Sequence, residues 1–480
     1  MALTGLHTNW LTGSYAGDRE YILRAEENTP LFNGMNVAQN LRPQFDTSTS
    51  LAIGYGLDLL VNSDATINSY LTAAGLAPLT AQDMAVLAQA RTYRSTQLAN
   101  GQSVDPLQMG NFAGQLSLDL MTDANAIALL NAVADDKQNQ LIQDLSAGGM
   151  SAADLVAFIG TREFAALLSL KFNGISPVVR DSNGNYLRNT KMLDAMLRGD
   201  RAEAWFEIRY NSNGNDLAGL AKRRFFEADT FGLYSAGASS SAISDAEAKS
   251  VFRMYTSHRD VINAYESRYG QGGLRGDQVF AANTDYQLTS DRVDYWPQES
   301  QIARQYLVTT YAQGQTIDGE VLVGADDLIP GDRLVGTTQN DLLFGEKGHD
   351  DLKGKAGNDV IYGGEGVDQI TGGADNDYLD GGSGYDTYVY RINDGQDTIN
   401  DSDHLGSIFY DTHLVAGGIH KDTDAANTYT SPDGTFTFIW PGPGTDLTIN
   451  NLITIKNFQS GQLGIRLHDL PDYVNGLPDR

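Results

Sequence analysis

The sequence predicts a multidomain α+β protein: a mainly helical first half, then a parallel β-roll, then a β-rich C-terminal module. Three observations carry this. Residues 1 to about 235 contain several stretches with apolar residues at three- and four-residue spacing, the signature of amphipathic helices. From Gly336 a nine-residue period runs without a gap through Gly345, Gly354, Gly363, Gly372 and Gly381. Beyond Asp403 the pattern changes to short alternating segments that read as strands.

In the first half, DREYILRAEE, TAQDMAVLAQA, SAADLVAFIG, TREFAALLSL and KRRFFEADTF read as helices. Between the first two, SLAIGYGLDLL (Ser50–Leu60) reads as a short strand or hairpin whose glycines permit tight backbone paths. The small, polar stretch Ser235–Ser244 reads as a linker. A long helix or helix pair is expected to start at Asp245, a first-turn or capping acid, and to stop at Gly270. Another helix is expected near PQESQIARQYLVTTYAQG, within a middle region, 245–335, that carries no nameable motif. After the repeats, TYTSPDGTFTFIW reads as a hairpin turning at Asp433–Gly434, and DLTINNLITIKNF as paired strands. The expected boundaries are therefore 1–235, 245–335, 336–403 and 404–480.

The repeats are the strongest signal, because a fixed period dictates a whole architecture. The sixth position is always aspartate: Asp341, Asp350, Asp359, Asp368, Asp377 and Asp386. The eighth is always large and apolar: Leu343, Leu352, Ile361, Ile370, Leu379 and Tyr388. Glycines allow the turn to bend back, the aspartates offer hard carboxylate oxygens to calcium, and the eighth residue builds a thin core. With two nonapeptides per coil, Asp341, Asp359 and Asp377 line one side and Asp350, Asp368 and Asp386 the other. The first repeat lacks the second and fourth glycines and the fifth carries Asp375 at its fourth position, so these turns are expected to be irregular or empty. Asp397, Asp401 and Asp403 read as solvated surface acids with a secondary possibility of ligation.

This pattern resembles the G-G-x-G-x-D-x-U-x repeat of the repeats-in-toxin (RTX) family. The resemblance implies Ca²⁺ as cofactor, a secreted protein, and export by a type I machine that reads a C-terminal signal. ITIKNFQSGQLGIRL resembles the β-rich C-terminal module of calcium-dependent exported proteins, and YVYRINDGQDTINDSD the segment that closes such rolls.

Four ordered segments of the first half resemble phage-type lysozymes, glycoside hydrolase family 24. They are ILRAEEN (Ile22–Asn28), DTSTSLAIGYG (Asp46–Gly56), ALLSLKFNG (Ala166–Gly174) and LAGLAKRRFFEADTF (Leu217–Phe231). The resemblance implies a lysozyme-like domain that cleaves the β-1,4 bond between N-acetylmuramic acid and N-acetylglucosamine with inversion. Glu27 fits the position of the catalytic acid, with Glu26 as the alternative, and Asp46 that of the group positioning water, helped by Thr49 or Ser50. Arg223 and Arg224 orient the acid or contact the substrate's peptide stem in this reading, whereas Phe172 and Asn173 read as packing. The chain departs from the family pattern at Ala52, normally threonine, and at Leu57, often histidine. The interval between acid and aspartate is also longer, and NTPLFNGMNVAQNLRPQ is expected to loop over the cleft.

Composition limits the alternatives. Hydrophobic residues make up 41% and charged residues 20%, an ordinary globular mixture. A net charge of −28 argues against nucleic acid, whose phosphates would repel the chain, and is eased if cations absorb part of it. With no cysteine there is neither a disulfide framework nor thiolate chemistry. The N-terminus MALTGLHTNWLTG lacks the basic and apolar regions of a Sec-type signal, and no apolar run reaches the length of a membrane span. The expectation is a secreted peptidoglycan hydrolase without a cleavable N-terminal signal. The alternative is a non-catalytic glycan-binding or matrix protein of lysozyme fold with calcium-stabilised repeats.

Overall fold

The computed structural model describes residues 41–45, 49–212, 224, 227–228, 230–234, 243–269, 284–288, 293–297, 300–326, 331–421 and 424–469. The chain divides into two compact units, Met1–Ser235 and Ala236–Arg480.

In the first unit, β1 (Gln44–Phe45), β2 (Leu51–Ile53) and β3 (Leu57–Asp58) form a small antiparallel sheet in that order. The expected hairpin is therefore present. It turns on Gly54 and Gly56, both at positive φ, and a Cβ on Gly54 would sit 3.2 Å from Leu120. Helices follow: α1 (Asp64–Ala73), α2 (Ala81–Ala99), α3 (Pro106–Gln115), α4 (Asp123–Ala147), α5 (Ala152–Phe158) and α6 (Arg162–Phe172). A short hairpin, β4 (Val178–Arg180) and β5 (Tyr186–Asn189), leads to α7 (Lys191–Arg198) and α8 (Arg201–Phe206).

Local chemistry explains where these helices begin. Ser63, Thr80, Asp105, Thr122, Ser151, Thr161 and Thr190 each accept a backbone N–H of the first turn, and Thr80 forms a reciprocal capping box with Asp83. Every residue of α6 from Glu163 to Leu170 is buried, so this helix is the centre of the unit rather than an amphipathic surface element. Its polar members are paired: the Ser169 hydroxyl donates to Glu227 at 2.7 Å, and Arg201 meets Glu163 at 2.6 Å. Asp144 ties α4 to α6 and β4 by accepting from Lys171, Ser176 and Arg180 at 2.5–2.8 Å. Burial pushes its carboxyl upward, but these donors outweigh that and hold it below the usual carboxylate range.

In the second unit, α9 (Asp245–Tyr269) starts in a capping box between Ser244 and Glu247, with Asp245 in the first turn as expected. The stretch after Gly270 contains a feature the pattern did not reveal, the hairpin of β6 (Thr284–Leu288) and β7 (Val293–Pro297). Helix α10 (Ser300–Tyr311) occupies the predicted place.

The roll is a pair of parallel sheets. One contains β8 (Val321–Val323), β10 (Leu342–Gly348), β12 (Val360–Gly366), β14 (Tyr378–Ser383) and β16 (Asp397–Ile399). The other contains β9 (Arg333–Val335), β11 (Asp351–Ala356), β13 (Gln369–Ala374), β15 (Asp386–Tyr390) and β17 (Gly406–Tyr410). The register Leu343↔Ile361↔Leu379 and Leu352↔Ile370↔Tyr388 sets two nonapeptides per coil. All six eighth-position residues are buried, each aliphatic one stabilising by about 1.5–3 kcal/mol relative to exposure.

The roll is longer than the Gly336–Val389 repeats. A first coil, β8 and β9, precedes them, and a last one, β16 and β17, follows. In the first coil Glu320 and Asp332 take the sixth position, and Leu322 and Leu334 the eighth. This was hidden because the run from Gly324 to Gly336 is not nine residues long and lacks the glycine pairs. The middle region belongs to the same compact unit as the roll. Its end is roll, and α9 clasps the first coils: Arg259 pairs with the buried Glu320 at 2.9 Å, Lys249 with Glu346 at 2.8 Å, and Arg253 donates to the Gly324 carbonyl at 2.9 Å. The Tyr311 ring of α10 meets Phe344 edge-on at 5.0 Å.

The C-terminal strands are continuous with the roll rather than a detached module. β18 (His413–Leu414) closes the second sheet. β19 (Gly417–His420), β20 (Thr428–Thr430), β21 (Thr437–Ile439), β22 (Thr445–Ile449), β23 (Ile453–Phe458) and β24 (Arg466–Asp469) extend the first, joined through β23 pairing with β16. One hydrophobic core runs from Leu322 to Leu467. The two expected hairpins are present: β20–β21 turns at Asp433–Gly434, where Asp433 accepts from Ser431 and Thr435, and β22–β23 turns at Asn450–Asn451, both at positive φ.

Candidate metal centre

The parallel coils bring the sixth-position acids into two ladders. In one, the Asp341 N–H donates to Asp359 Oδ1 at 2.7 Å, Asp359 to Asp377 at 2.8 Å, and Asp377 to Asp397 at 3.1 Å. In the other, Asp332 donates to Asp350, Asp350 to Asp368 at 2.8 Å, and Asp368 to Asp386 at 2.9 Å. One carboxylate oxygen per aspartate is thus spent on the preceding coil's backbone N–H.

The second oxygen behaves differently along the rows. In Asp350, Asp359, Asp368, Asp377 and Asp386 it is buried and has no hydrogen-bond partner. In the first aspartate of each row it is satisfied: Asp341 Oδ2 accepts from the Thr337 N–H and hydroxyl, and Asp332 Oδ2 from the Ala325 N–H. Thr337 occupies the repeat's second position without the left-handed φ that Gly364, Gly373, Gly382, Glu346 and Lys355 adopt there. Of the six predicted aspartates, Asp341 is therefore set apart as the closed end of its row. Asp375 does adopt a positive φ of 80°, so the fifth turn keeps the regular path.

The first glycine of each repeat shows why nothing else fits. A Cβ on Gly345 would lie 2.5 Å from Asp350 Oδ2 and 2.4 Å from the Gly363 carbonyl; on Gly354, 2.0 Å from Asp359 Oδ2 and 2.6 Å from the Gly372 carbonyl. Carboxylate and carbonyl oxygens of successive coils thus face each other across bare glycines. An all-oxygen donor set suits a hard cation such as calcium, which takes 6–8 oxygens. Among the described residues no group of three or more histidine, aspartate or glutamate side chains closes on one point, so carbonyls must supply much of any coordination.

Electrostatics agrees. Burial, reinforced by neighbouring carboxylates, pushes Asp359 up to about 9, Asp377 to about 8, Asp386 to about 7 and Asp368 to about 6. Asp397, expected at the surface, is buried and continues its row, with burial raising it to about 9. Asp401 is likewise buried, accepting from the Tyr388 hydroxyl at 2.7 Å. The coil that carries Asp397 and Asp401 is two residues longer than the others, so a strict nine-residue period does not place them inside.

Residues 331–361 and 353–388 match the RTX calcium-binding nonapeptide repeat. The C-terminal region carries RTX calcium-binding repeats. The matched residues cover the middle coils of the roll, and the flanking coils extend them on both sides. Among solved structures, a part of the chain is similar to the AlgE6R3 subunit from the mannuronan C5-epimerase of Azotobacter vinelandii, solved in solution. That match has 26% identity and a TM-score of 0.12, and covers 30% of this chain and 77% of the other. Comparison with curated proteins gives no match.

Two outcomes are expected of the RTX roll. Gly354→Ala places a methyl against Asp359 Oδ2 and the Gly372 carbonyl. It should cost about 1–3 kcal/mol in overpacking and raise the calcium midpoint of folding, read by circular dichroism; Gly114→Ala, with no atom within 4 Å, is the control. Under chelator, the roll should lose stability as pH rises from about 4 towards 9. The folded state holds protons on Asp359, Asp377, Asp386 and Asp368 that the unfolded state releases near pH 3.9, so unfolding becomes progressively easier across that window. Hydrogen exchange of residues 340–400 at pH 4 and pH 8 without calcium measures this.

The candidate hydrolytic residues fall differently. Glu26, Glu27, Asp46 and Arg223 lie outside the described residues. The Thr49 hydroxyl accepts from Arg94 at 3.3 Å. Ser50 is buried and donates to Asp58 within the hairpin. Arg224 is 1% exposed and pairs with Glu227 at 2.6 Å, in contact with α6 through Ser169. Its side chain is therefore interior.

Proposed function

We propose that the chain is an exported, calcium-dependent muramidase: a peptidoglycan hydrolase in the first unit joined to an RTX roll in the second. The observation that supports the first part most is the order of elements around Asp46. A small antiparallel sheet turning on the Ile53–Gly56 segment precedes a helical bundle built on α6, buried from Glu163 to Leu170. This is the arrangement the lysozyme resemblance implies for an acid and an aspartate facing each other across a cleft.

In this reading Glu27, or Glu26 beside it, protonates the leaving glycosidic oxygen, and Asp46 holds the attacking water. Inverting pairs stand about 6.5–9.5 Å apart to admit that water. Arg223 contacts the substrate or orients the acid. Ala52 lies in β2 opposite Gln44 and Asp58, where the family's threonine would add a hydroxyl, so Asp46 positions water without it. Zymography on cell-wall gels with the full chain tests hydrolysis; a clear band in calcium is expected, and no clearing at any calcium level favours a non-catalytic glycan-binding protein.

Calcium bound in the roll supplies compensating charge for its buried carboxylates, so the roll folds outside the cell rather than inside. Among the described residues no helix is long and apolar enough to cross a membrane. Export by a type I machine should need the C-terminal strands. Deleting residues 391–480 is expected to leave intact protein inside the producing cell, measured by fractionation and immunoblot; undiminished secretion excludes that route.

A further inference from the structure

We infer that the cavity on the outer face of the roll's first sheet, beside α9 and α10, is a binding site for an uncharged saccharide ring. Ninth-position residues point away from the core, and on this sheet they fall in one row. Phe344, Tyr362 and Asp380 are aligned across β10, β12 and β14. Phe344 is buried against Tyr311 and Lys249 of the helices, whereas Tyr362 and Asp380, further along the row, are half-buried. An open cavity of about 310 Å³ lies here, lined by Lys249 and Tyr311 from the helices and by Phe344, Tyr362, Asp380 and Ser402 from the roll.

Part of the lining is a fixed aromatic surface. Tyr362 stacks on Phe344 with ring centroids 5.4 Å apart and planes 8° from parallel, and Tyr311 stands edge-on to Tyr362 at 5.5 Å. The Tyr362 hydroxyl donates to the Tyr311 carbonyl at 3.0 Å and accepts from Gln313 at 2.8 Å, which holds the ring in place. Beside the rings the lining is bare backbone. Gly364 and Gly382 face the cavity, and a Cβ on either would lie 2.1 Å from the carbonyl one coil earlier, so no side chain can rise there. Rigid rings next to flat backbone accept the apolar face of another ring without losing side-chain freedom.

The charged groups around the rings decide the ligand class. Both lysines of the lining are already engaged: Lys249 pairs with Glu346 at 2.8 Å and lies 4.9 Å above the Phe344 ring, and Lys347 pairs with Asp326 at 3.0 Å. Glu365 is exposed, and Asp380 accepts the Gly382 N–H at 3.1 Å. An anion would meet four carboxylates and two occupied lysines. An organic cation would have to displace Lys249 from the rings. A wholly apolar ligand would strip water from charged groups and return no hydrogen bonds. A neutral pyranose has apolar C–H faces for the rings and hydroxyls at its edge. Those hydroxyls can donate to Asp380 and Glu365 and to the exposed Ser402 hydroxyl, whose own proton goes to the Gly382 carbonyl at 2.6 Å. The site lies wholly in the second unit and does not depend on hydrolysis by the first.

The test is sedimentation of the full chain with insoluble chitin, an uncharged β-1,4-linked glycan, in millimolar calcium. The chain should pellet with the chitin and be released by soluble chitotetraose. Tyr362→Ala removes the outermost ring of the stack and should weaken binding about tenfold. Because that ring also packs on Phe344, circular dichroism checks the variant's fold, and Asp380→Ala, which removes an acceptor and no packing ring, gives a second reading. A chain that stays in the supernatant, or pellets but is not released by chitotetraose, overturns the site. So does wild-type binding by Asp380→Ala together with a folded Tyr362→Ala, since the glycan would then be held elsewhere, the first unit included. Lysis of sacculi is read separately, so a chain without hydrolytic activity that still pellets through these residues keeps the site and loses only the muramidase.

Discussion

Chelating calcium from the full chain is expected to unfold the roll and leave the helical unit in place. Asp350, Asp359, Asp368, Asp377 and Asp386 each bury a carboxylate oxygen with no partner. Without a cation each must stay ionised in the interior or take up a proton that the unfolded chain releases near pH 3.9, and at neutral pH either costs up to several kcal/mol, against the about 1.5–3 kcal/mol that each inward Leu or Ile returns. The balance is unfavourable unless a cation joins the rows. Extracellular calcium modules typically bind at about 10⁻⁴–10⁻³ M, so the transition should fall near that range and shift with calcium by mass action. Far-ultraviolet circular dichroism with hydrogen exchange of residues 331–469 measures it. Protection there should appear with calcium and vanish with chelator, and protection unchanged by chelator contradicts the account.

That expectation rests on features legible in the sequence. The nine-residue period placed Asp341 to Asp386 in two rows and Leu343 to Tyr388 inward, because a period-two strand inside a fixed repeat leaves little freedom for either. The ends were not legible. Glu320 and Asp332 fill sixth positions in a coil whose spacing is irregular, and Asp397 follows Asp377 by twenty residues rather than eighteen, so a strict period passes over both. The closed end at Asp341 depends on the φ of Thr337, and the Tyr388–Asp401 contact on alignment across an insertion. The first was signalled by the missing glycine at Thr337; the second is not a property of local sequence. In the helical unit, apolar spacing was enough to reveal TAQDMAVLAQA as a helix, whereas the pairing of Arg224 with Glu227 depends on tertiary packing that spacing does not carry.

Glu27→Gln is expected to abolish wall lysis. General acid catalysis contributes about 10²–10⁴-fold, and a positioned proton donor has no substitute in the amide. Asp46→Asn should slow lysis less, since Thr49 and neighbouring backbone can still hold a water. Turbidity loss of purified sacculi compares the variants. If Glu27→Gln and Glu26→Gln both lyse at the wild-type rate, the catalytic assignment is wrong.

The most direct test of the proposed activity is the chemistry of the products. Sacculi digested with the full chain in millimolar calcium and analysed by mass spectrometry of the muropeptides should yield disaccharide peptides with new reducing ends on N-acetylmuramic acid and intact stems. New peptide ends on intact glycan strands would mean an amidase or peptidase, and would contradict the muramidase reading.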